Sequence, residues 1–278
     1  MEAAWHLVTR PQAPTILELA ATAAERLIVV SPFVSHHAAS ELLAATHVEA
    51  GVKFELLTAA TAASLLAGTC DAEALALIAE RGGVGGVHRL PLLHAKVYIA
   101  DSRLALVTSA NLTRGGFRAN YEYGALISAP SVVGSIVEDV KQYLRVATFL
   151  SGQAISEVQS LLARAARQAP RPADTQLQRY VEAVDDLFVA QHVTGRTEHE
   201  VFGNAILYVL RRDGPLSTRE MHPRIQALHP ELCDDTRDRI IDGRSFGRRW
   251  KHQVRNAQQH LKRKGVIALS NGVWSLTR

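Results

Sequence analysis

The sequence predicts an α/β chain in two parts: a layered mixed sheet with flanking helices, then a mainly helical winged helix-turn-helix domain. Three observations predict it. Apolar, β-branched runs alternate with helix-spaced segments early in the chain, Pro170 and Pro172 interrupt it, and three helical patterns followed by an Asn271-Gly272 hairpin end it. The 278 residues are 47% hydrophobic and 21% charged, an ordinary folded composition with room for one large or two ordinary domains. No uncharged stretch reaches the ~18 apolar residues that a membrane span needs. The N-terminus lacks a basic flank followed by an apolar run, and the two cysteines, Cys70 and Cys233, cannot form a disulfide framework. These features point to a reducing, cytoplasmic setting with no membrane association.

The elements follow in order. Arg26–Val34 and Val52–Leu57 read as strands, with helical spacing over Ala38–Ala50 and Asp71–Arg81. The glycine cluster at 82–86 follows a helix rather than a strand, so it reads as a turn and not as a dinucleotide loop. Leu92–Ala100, Arg103–Ser109 and Tyr121–Ser128 suit strands, the first two joined by a tight Asp101-Ser102 turn. Helices over Val132–Leu150 and Ile155–Arg167 complete a first domain at 1–168. The proline segment is a stiff connector, and with a helix over Leu177–Gln191 it makes a linking region at 169–199. The last domain, 200–278, has helices over Glu200–Arg212, Arg219–Leu228 and Arg248–Lys264 before the hairpin, with Ser217 or Thr218 capping the second.

Charge divides unevenly between these parts. Residues 1–150 carry 11 Lys/Arg against 13 Asp/Glu, whereas Arg237–Lys264 carries 10 against 2. Such a local excess is the footprint expected of phosphate-backbone contact, although a solvated helix face has the same composition. Trp250, Val254, Ala257 and Leu261 share one face of the third helix, leaving Arg248, Arg249, Lys251, His252, Arg255, Gln258, Gln259 and Lys262 outward. With Arg244 before the helix and Asn271 at the hairpin tip, these are the candidate double-stranded DNA contacts.

The chemistry concentrates in His94-Ala95-Lys96, Asp101 and Thr108-Ser109-Ala110-Asn111. Strand alternation places His94 and Lys96 on one face, where an imidazole and an ammonium can attack and neutralise a phosphodiester. Asn111 and Ser109 would add donors to phosphate oxygens, and Glu122 would orient the imidazole.

This pattern, HxKxxxxD followed after six residues by TSxN, resembles the HKD signature of the phospholipase D superfamily over roughly residues 10–150. The resemblance implies that family's layered α/β fold and metal-independent phosphodiester chemistry without a cofactor. Thr108 stands where the family usually has glycine. The motif occurs once, which resembles the nuclease branch, and implies a homodimer formed through the N-terminal domain with one composite site. His94 would be the nucleophile in one protomer, forming a phosphohistidine, and the general acid in the other. Lys96 and Asn111 from both would hold the phosphoryl oxygens, and Asp101 would have a structural role at its turn. The region from Glu200 resembles, in pattern only, the winged-helix domains fused to Mrr-type restriction nucleases.

The expectation is therefore a metal-independent DNA endonuclease of a restriction or phage-defence system, with possible companion methyltransferase or other defence proteins. Three alternatives stay open: a phospholipase or phosphatidyl transferase, a non-catalytic DNA-binding regulator, and RNA cleavage. His36 and His37 read as exposed loop histidines. Cys233 with His222 and His229 is too irregular for a zinc site, so no metal is expected.

Overall fold

A computed structural model describes residues 4–83, 85–168, 174–193, 197–236, 238–241 and 244–277; the side chains of 168, 174–177, 192–193, 238–241 and 244–246 are excepted. Two structural units emerge, Met1–Leu187 and Phe188–Arg278, divided inside the segment read as the connecting helix. The proline connector itself, 169–173, lies outside the described residues, as does Val84 of the glycine turn.

The first unit is built on an eight-stranded mixed sheet. In chain order its elements are β1 (Trp5–Val8), α1 (Ala13–Ala21), β2 (Arg26–Val30), α2 (His36–Ala45), β3 (Lys53–Thr58), α3 (Ala62–Leu66), α4 (Ala72–Arg81), β4 (Gly86–Arg89), β5 (Val97–Ala100), β6 (Leu104–Thr108), β7 (Gly124–Ile127), α5 (Pro130–Val146), β8 (Thr148–Leu150) and α6 (Gly152–Gln168). The strand order is β1-β7-β6-β5-β2-β3-β4-β8. β2, β3 and β4 run parallel, connected through helices, while β1, β5, β6, β7 and β8 join their neighbours antiparallel. Leu27, Val29, Phe54, Leu56, Tyr98 and Leu106 on one face, and Val30, Leu57 and Ile99 on the other, are buried to within 1% exposure, as expected for central strands covered on both faces. The helices α1, α2, α4 and α6 pack against one another in series.

Several boundaries differ from the sequence reading. The strand begun at Arg26 ends at Val30, and His36 and His37 open α2 rather than lying in a loop. The helix expected over Ala38–Ala50 stops at Ala45 and resumes as a 3-10 turn over Val48–Ala50. The tail of the helix expected over Val132–Leu150 is β8, added to the edge of the sheet against β4. Most consequential, His94 and Lys96 are not on a strand, because β5 starts at Val97, and Glu122 likewise precedes β7.

α7 (Asp174–Val193) carries the unit division. The second unit has α8 (Glu198–Asp213), β9 (Leu216–Ser217), α9 (Thr218–Leu228), β10 (Asp238–Ile241), β11 (Arg244–Arg248), α10 (Arg249–Arg263), β12 (Ile267–Ser270) and β13 (Val273–Leu276). α8 and α9 both begin with capping boxes, Thr197 with Glu200 and Ser217 with Glu220, each matching two orphan N–H groups at once. α10 packs on α8, and β13 joins β12 to β9 in a three-stranded sheet. The hairpin β10–β11 occupies the stretch that read only as polar and charge-mixed. Gln258 is a correction: it is 1% exposed, not outward. Its amide accepts from Thr218 Oγ1 at 3.3 Å, and Thr218 in turn accepts from Trp274 Nε1 at 2.9 Å. Gln258 lies one helical turn past Val254, so spacing decides its face in spite of its polarity.

Candidate active site

Three strand ends assemble the site. β5 and β7 begin, and β6 finishes, at the same end of the sheet, so Lys96, Thr108 and Gly124 lie side by side; the Thr108 N–H donates to the Lys96 carbonyl at 3.1 Å, and Thr108 pairs with Gly124. Beyond Thr108 the chain does not turn straight back. Leu112 N–H donates to Ser31 Oγ at 2.8 Å, Ser35 N–H donates to the Leu112 carbonyl at 2.9 Å, and Val34 bridges to Leu112. Ser31 and Val34 follow β2, which is on the far side of β5 from β6. The loop 109–112 therefore spans the start of β5, bringing Asn111 across the segment that carries His94 and Lys96.

Within this arch the polar groups divide into satisfied and unsatisfied ones. Lys96 Nζ donates to the His94 carbonyl at 2.7 Å and stands 3.4 Å from His94 Nδ1 and 3.3 Å from Nε2. Partial burial lowers the Lys96 pKa, and the Glu122 charge opposes that shift. Tyr98, fully buried, donates to the Ala110 carbonyl at 3.2 Å; burial and then the Glu122 charge push its hydroxyl pKa up. Asn111 is half-buried, and its carboxamide oxygen is buried with no hydrogen-bond partner among the described residues. A buried polar atom left unmatched beside an exposed imidazole and an ammonium marks a candidate ligand-binding position.

Glu122 behaves differently from the sequence expectation. Its carboxylate accepts from Ser109 Oγ and, at 3.1 Å, from Asn120 Nδ2; it makes no hydrogen bond to His94. Ser109 Oγ also accepts from Tyr123 N–H at 3.0 Å. Glu122 thus fixes the Ser109 loop and acts on Lys96 through its charge, rather than orienting the imidazole. Both departures follow from its place: a residue just before a strand is free of the alternation that would have aimed it. Asn120 was not anticipated, although its position two residues before Glu122, with a side chain able to donate to a carboxylate, is a usable signal.

Two glycines shape the loop. A Cβ on Gly116, in the single π-helical turn Gly115–Ala119, would fall 2.4 Å from the Asn111 carbonyl oxygen and 2.7 Å from its nitrogen. Gly124 accommodates Thr108, since its Cβ would stand 2.9 Å from the Thr108 Cβ. Thr108 in turn is put to use: its Oγ1 accepts from Ala110 N–H at 3.1 Å, and its one proton is shared between two acceptors at 3.2 Å, buried Gln12 Oε1 and the Tyr123 carbonyl.

Asp101 lies at the opposite end of β5. It forms a tight turn with Ser102, both at positive φ (50° and 59°) as a type I′ turn requires. Its carboxylate accepts from the N–H groups of Ala24, Glu25 and Arg26 at 2.6, 2.8 and 2.7 Å, and from Arg103 at 2.8 Å. Burial works against the charge, but the backbone donors and the guanidinium together hold its pKa at about 2.

Of the basic candidates in the second unit, Arg248, Arg249, Arg255, Gln259, Lys262 and Asn271 are exposed, and Lys251 and His252 are half-buried. Arg249 lies 3.9 Å from Glu198, and Lys251 lies 3.9 Å from Asp235. The side chain of Arg244 lies outside the described residues. Cys70 and Cys233 are buried, and burial pushes both thiols up. Among the described residues no group of three or more His, Cys, Asp or Glu side chains could hold a metal ion.

Solved structures similar to the chain include a phospholipase D family member, Nuc from Salmonella typhimurium (18% identity, 53% of this chain and 97% of that one, TM-score 0.45), and NucT from Helicobacter pylori (13%, 52% and 98%, 0.45). Phosphatidylserine synthase from Haemophilus influenzae is similar too (16%, 66% and 43%, 0.45). No curated protein matches. Residues 16–145 match the family model described as cardiolipin synthase, PLD-like domain. That segment, just under half of the chain, holds the whole arch from Ser31 to Glu122 and is similar to the PLD-like domains that the model describes.

Proposed function

We propose that this chain is a metal-independent DNA endonuclease of restriction or phage-defence type, acting as a homodimer. The observation that carries the reading is the pairing of two features: a polar arch of His94, Lys96 and Asn111 in one unit, and an exposed cationic helix, α10, in the other. In the proposed reaction a His94 ring nitrogen attacks phosphorus, forming a P–N bond as the P–O bond to the leaving oxygen breaks. The partner's His94 protonates that oxygen, and water then cleaves the phosphohistidine, returning the imidazole. Lys96 neutralises the developing charge on the non-bridging oxygens, and Asn111 turns its amide to them. In the second unit α8, α9 and α10 with the β12–β13 hairpin support a winged-helix reading, in which α10 enters the major groove and Asn271 lies along the backbone.

Duplex DNA incubated in EDTA tests the chemistry directly. The wild-type protein is expected to cleave it and His94→Ala to leave it intact. A strict magnesium requirement, or equal cleavage by the variant, overturns the mechanism. The family description names a lipid enzyme, so a lipid phosphodiesterase is the second reading; turnover of phospholipid vesicles without DNA cleavage would establish it.

A further inference from the structure

We infer that Tyr121 and Arg10 form a platform on which one unpaired nucleobase stacks beside the reacting phosphate, an inference that rests on the endonuclease reading and deepens it. Tyr121 is 91% exposed, although it immediately precedes Glu122 of the site. Its hydroxyl has no hydrogen-bond partner among the described residues, and the Arg10 guanidinium carbon stands 4.8 Å from its ring centroid. The ring quadrupole attracts that cation, which holds Arg10 on one face of the ring and leaves the opposite face to solvent.

A lone exposed tyrosine is ordinary; its mount and its place are not. Asn120 N–H donates to the Gly115 carbonyl at 2.9 Å, Asn120 Nδ2 and Ser109 Oγ hold Glu122, and Ser109 N–H donates to the Tyr123 carbonyl at 3.0 Å. Tyr121 therefore sits between anchored neighbours on either side. Arg10 is anchored likewise, between Val8, which pairs with Gly124, and buried Gln12, whose Nε2 donates to the Val8 carbonyl at 3.0 Å. An aromatic side chain with two torsions on a rigid mount loses little freedom when it binds.

Position and charge select the ligand. Lys96, Thr108 and Gly124 lie side by side on β5, β6 and β7, so the segment of Tyr121 is two strand spacings from that of His94, ~10 Å at ~4.8 Å per strand. Stacked nucleotides advance ~3.4 Å each, so the platform meets a base within about three nucleotides of the phosphate at His94. An arginine lying flat on a ring keeps the N–H groups at its edge for an anion, and no carboxylate pairs with Arg10 among the described residues. A nucleotide offers a flat base and an anion together, which matches a bare ring face beside that guanidinium. A base inside a duplex is already stacked on both faces. The platform therefore takes its base from a single strand, or from a duplex opened at that position.

The test is cleavage by the full chain in EDTA of a single-stranded DNA oligonucleotide, of the same oligonucleotide paired to its complement, and of an abasic strand of equal length. Tyr121→Ala is expected to raise KM for the single strand ~10-fold or more with kcat within ~2-fold, and to leave the abasic strand unaffected. Tyr121→Phe, which keeps the ring, should restore the wild-type KM. Arg10→Gln should lower the log–log salt dependence of single-strand binding by ~0.7, the share of one phosphate contact. A strand carrying 2-aminopurine, mixed with His94→Ala so that it stays intact, should lose fluorescence, and Tyr121→Ala in the same protein should abolish that loss. Tyr121→Ser replaces Tyr121→Ala if circular dichroism shows the latter unfolded. A KM unchanged by Tyr121→Ala, one raised equally on the abasic strand, or a wild type that takes the duplex as readily as the single strand overturns the platform and leaves the endonuclease reading standing. So does altered sedimentation of Tyr121→Ala, which assigns the ring to a protein contact, or weaker binding to anionic phospholipid vesicles with the oligonucleotide unaffected. Tyr121-dependent quenching without cleavage by the wild type supports the platform and refutes the endonuclease. Absence of both refutes both.

Discussion

The two ends of β5 hold the three residues of one short motif and treat them in opposite ways. At the far end Asp101 receives four hydrogen bonds and is 6% exposed in its side chain. At the near end His94 is exposed, and Asn111 keeps a buried carboxamide oxygen without a partner. A polar group whose valences are all filled by its own chain contributes to stability; one left open is available to a substrate. The comparison places Asp101 in the scaffold and leaves His94, Lys96 and Asn111 as the groups proposed for the chemistry, although sequence spacing binds them together.

Substitutions at the two ends sharpen or break that division. At the open end, Lys96→Ala is expected to reduce single-turnover cleavage by ~10³-fold or more with the melting temperature unchanged, since the ammonium bonds only to its own neighbour. Asn111→Ala should cost ~10²-fold in the same assay and leave urea stability within ~0.5 kcal/mol, because no internal hydrogen bond is lost. A large drop in stability for either would remove the distinction between the ends.

At the closed end the order of effects reverses. Asp101→Asn should lower stability at pH 7 by about 2 kcal/mol, following the fall of its pKa from 3.8 to about 2. The contribution is complete above pH 3.8, the unfolded value, and is lost as pH falls through about 2, so the variant should also lose the acid-side decline in that window. Cleavage per folded molecule should be unaffected, as measured by active-site titration. The smallest effect concerns the loop. Gly124→Ala should cost ~1–2 kcal/mol by crowding Thr108, and adding Thr108→Gly should restore part of it, with a coupling measurable in a double-mutant cycle.

The gathering of His94, Lys96 and Asn111 at the near end was legible in the sequence, because it depends on residue type and spacing, both written in the chain. What escaped was the backbone that carries it. His94 and Lys96 were placed on a strand by their apolar neighbours, yet strand pairing begins only at Val97, where β6 supplies Val107 as partner. Glu122 was assigned to the imidazole by analogy with a triad; Ser109 and Asn120 capture it, and only the folded loop brings Ser109 within reach. β1, β4 and β8 are edge or near-edge strands of three or four residues, too short to impose a period of their own. β8 even continues the helical pattern before it. Gln258 shows the converse: its inward position was present in the spacing, and its amide polarity concealed it.

The loop that crosses the start of β5 is tied down by contacts between distant parts of the chain. Leu112 reaches Ser31 across 81 positions, Thr108 reaches Gln12 across 96, and Asp101 anchors Ala24 across 77. Closures of that span are late events for a growing or refolding polypeptide. A nascent fragment that ends before Leu112 holds every residue of the HKD triplet and cannot build the cleft. Assembly of the cleft therefore waits for completion of the sheet, so the site forms only once the chain beyond Leu112 is in place.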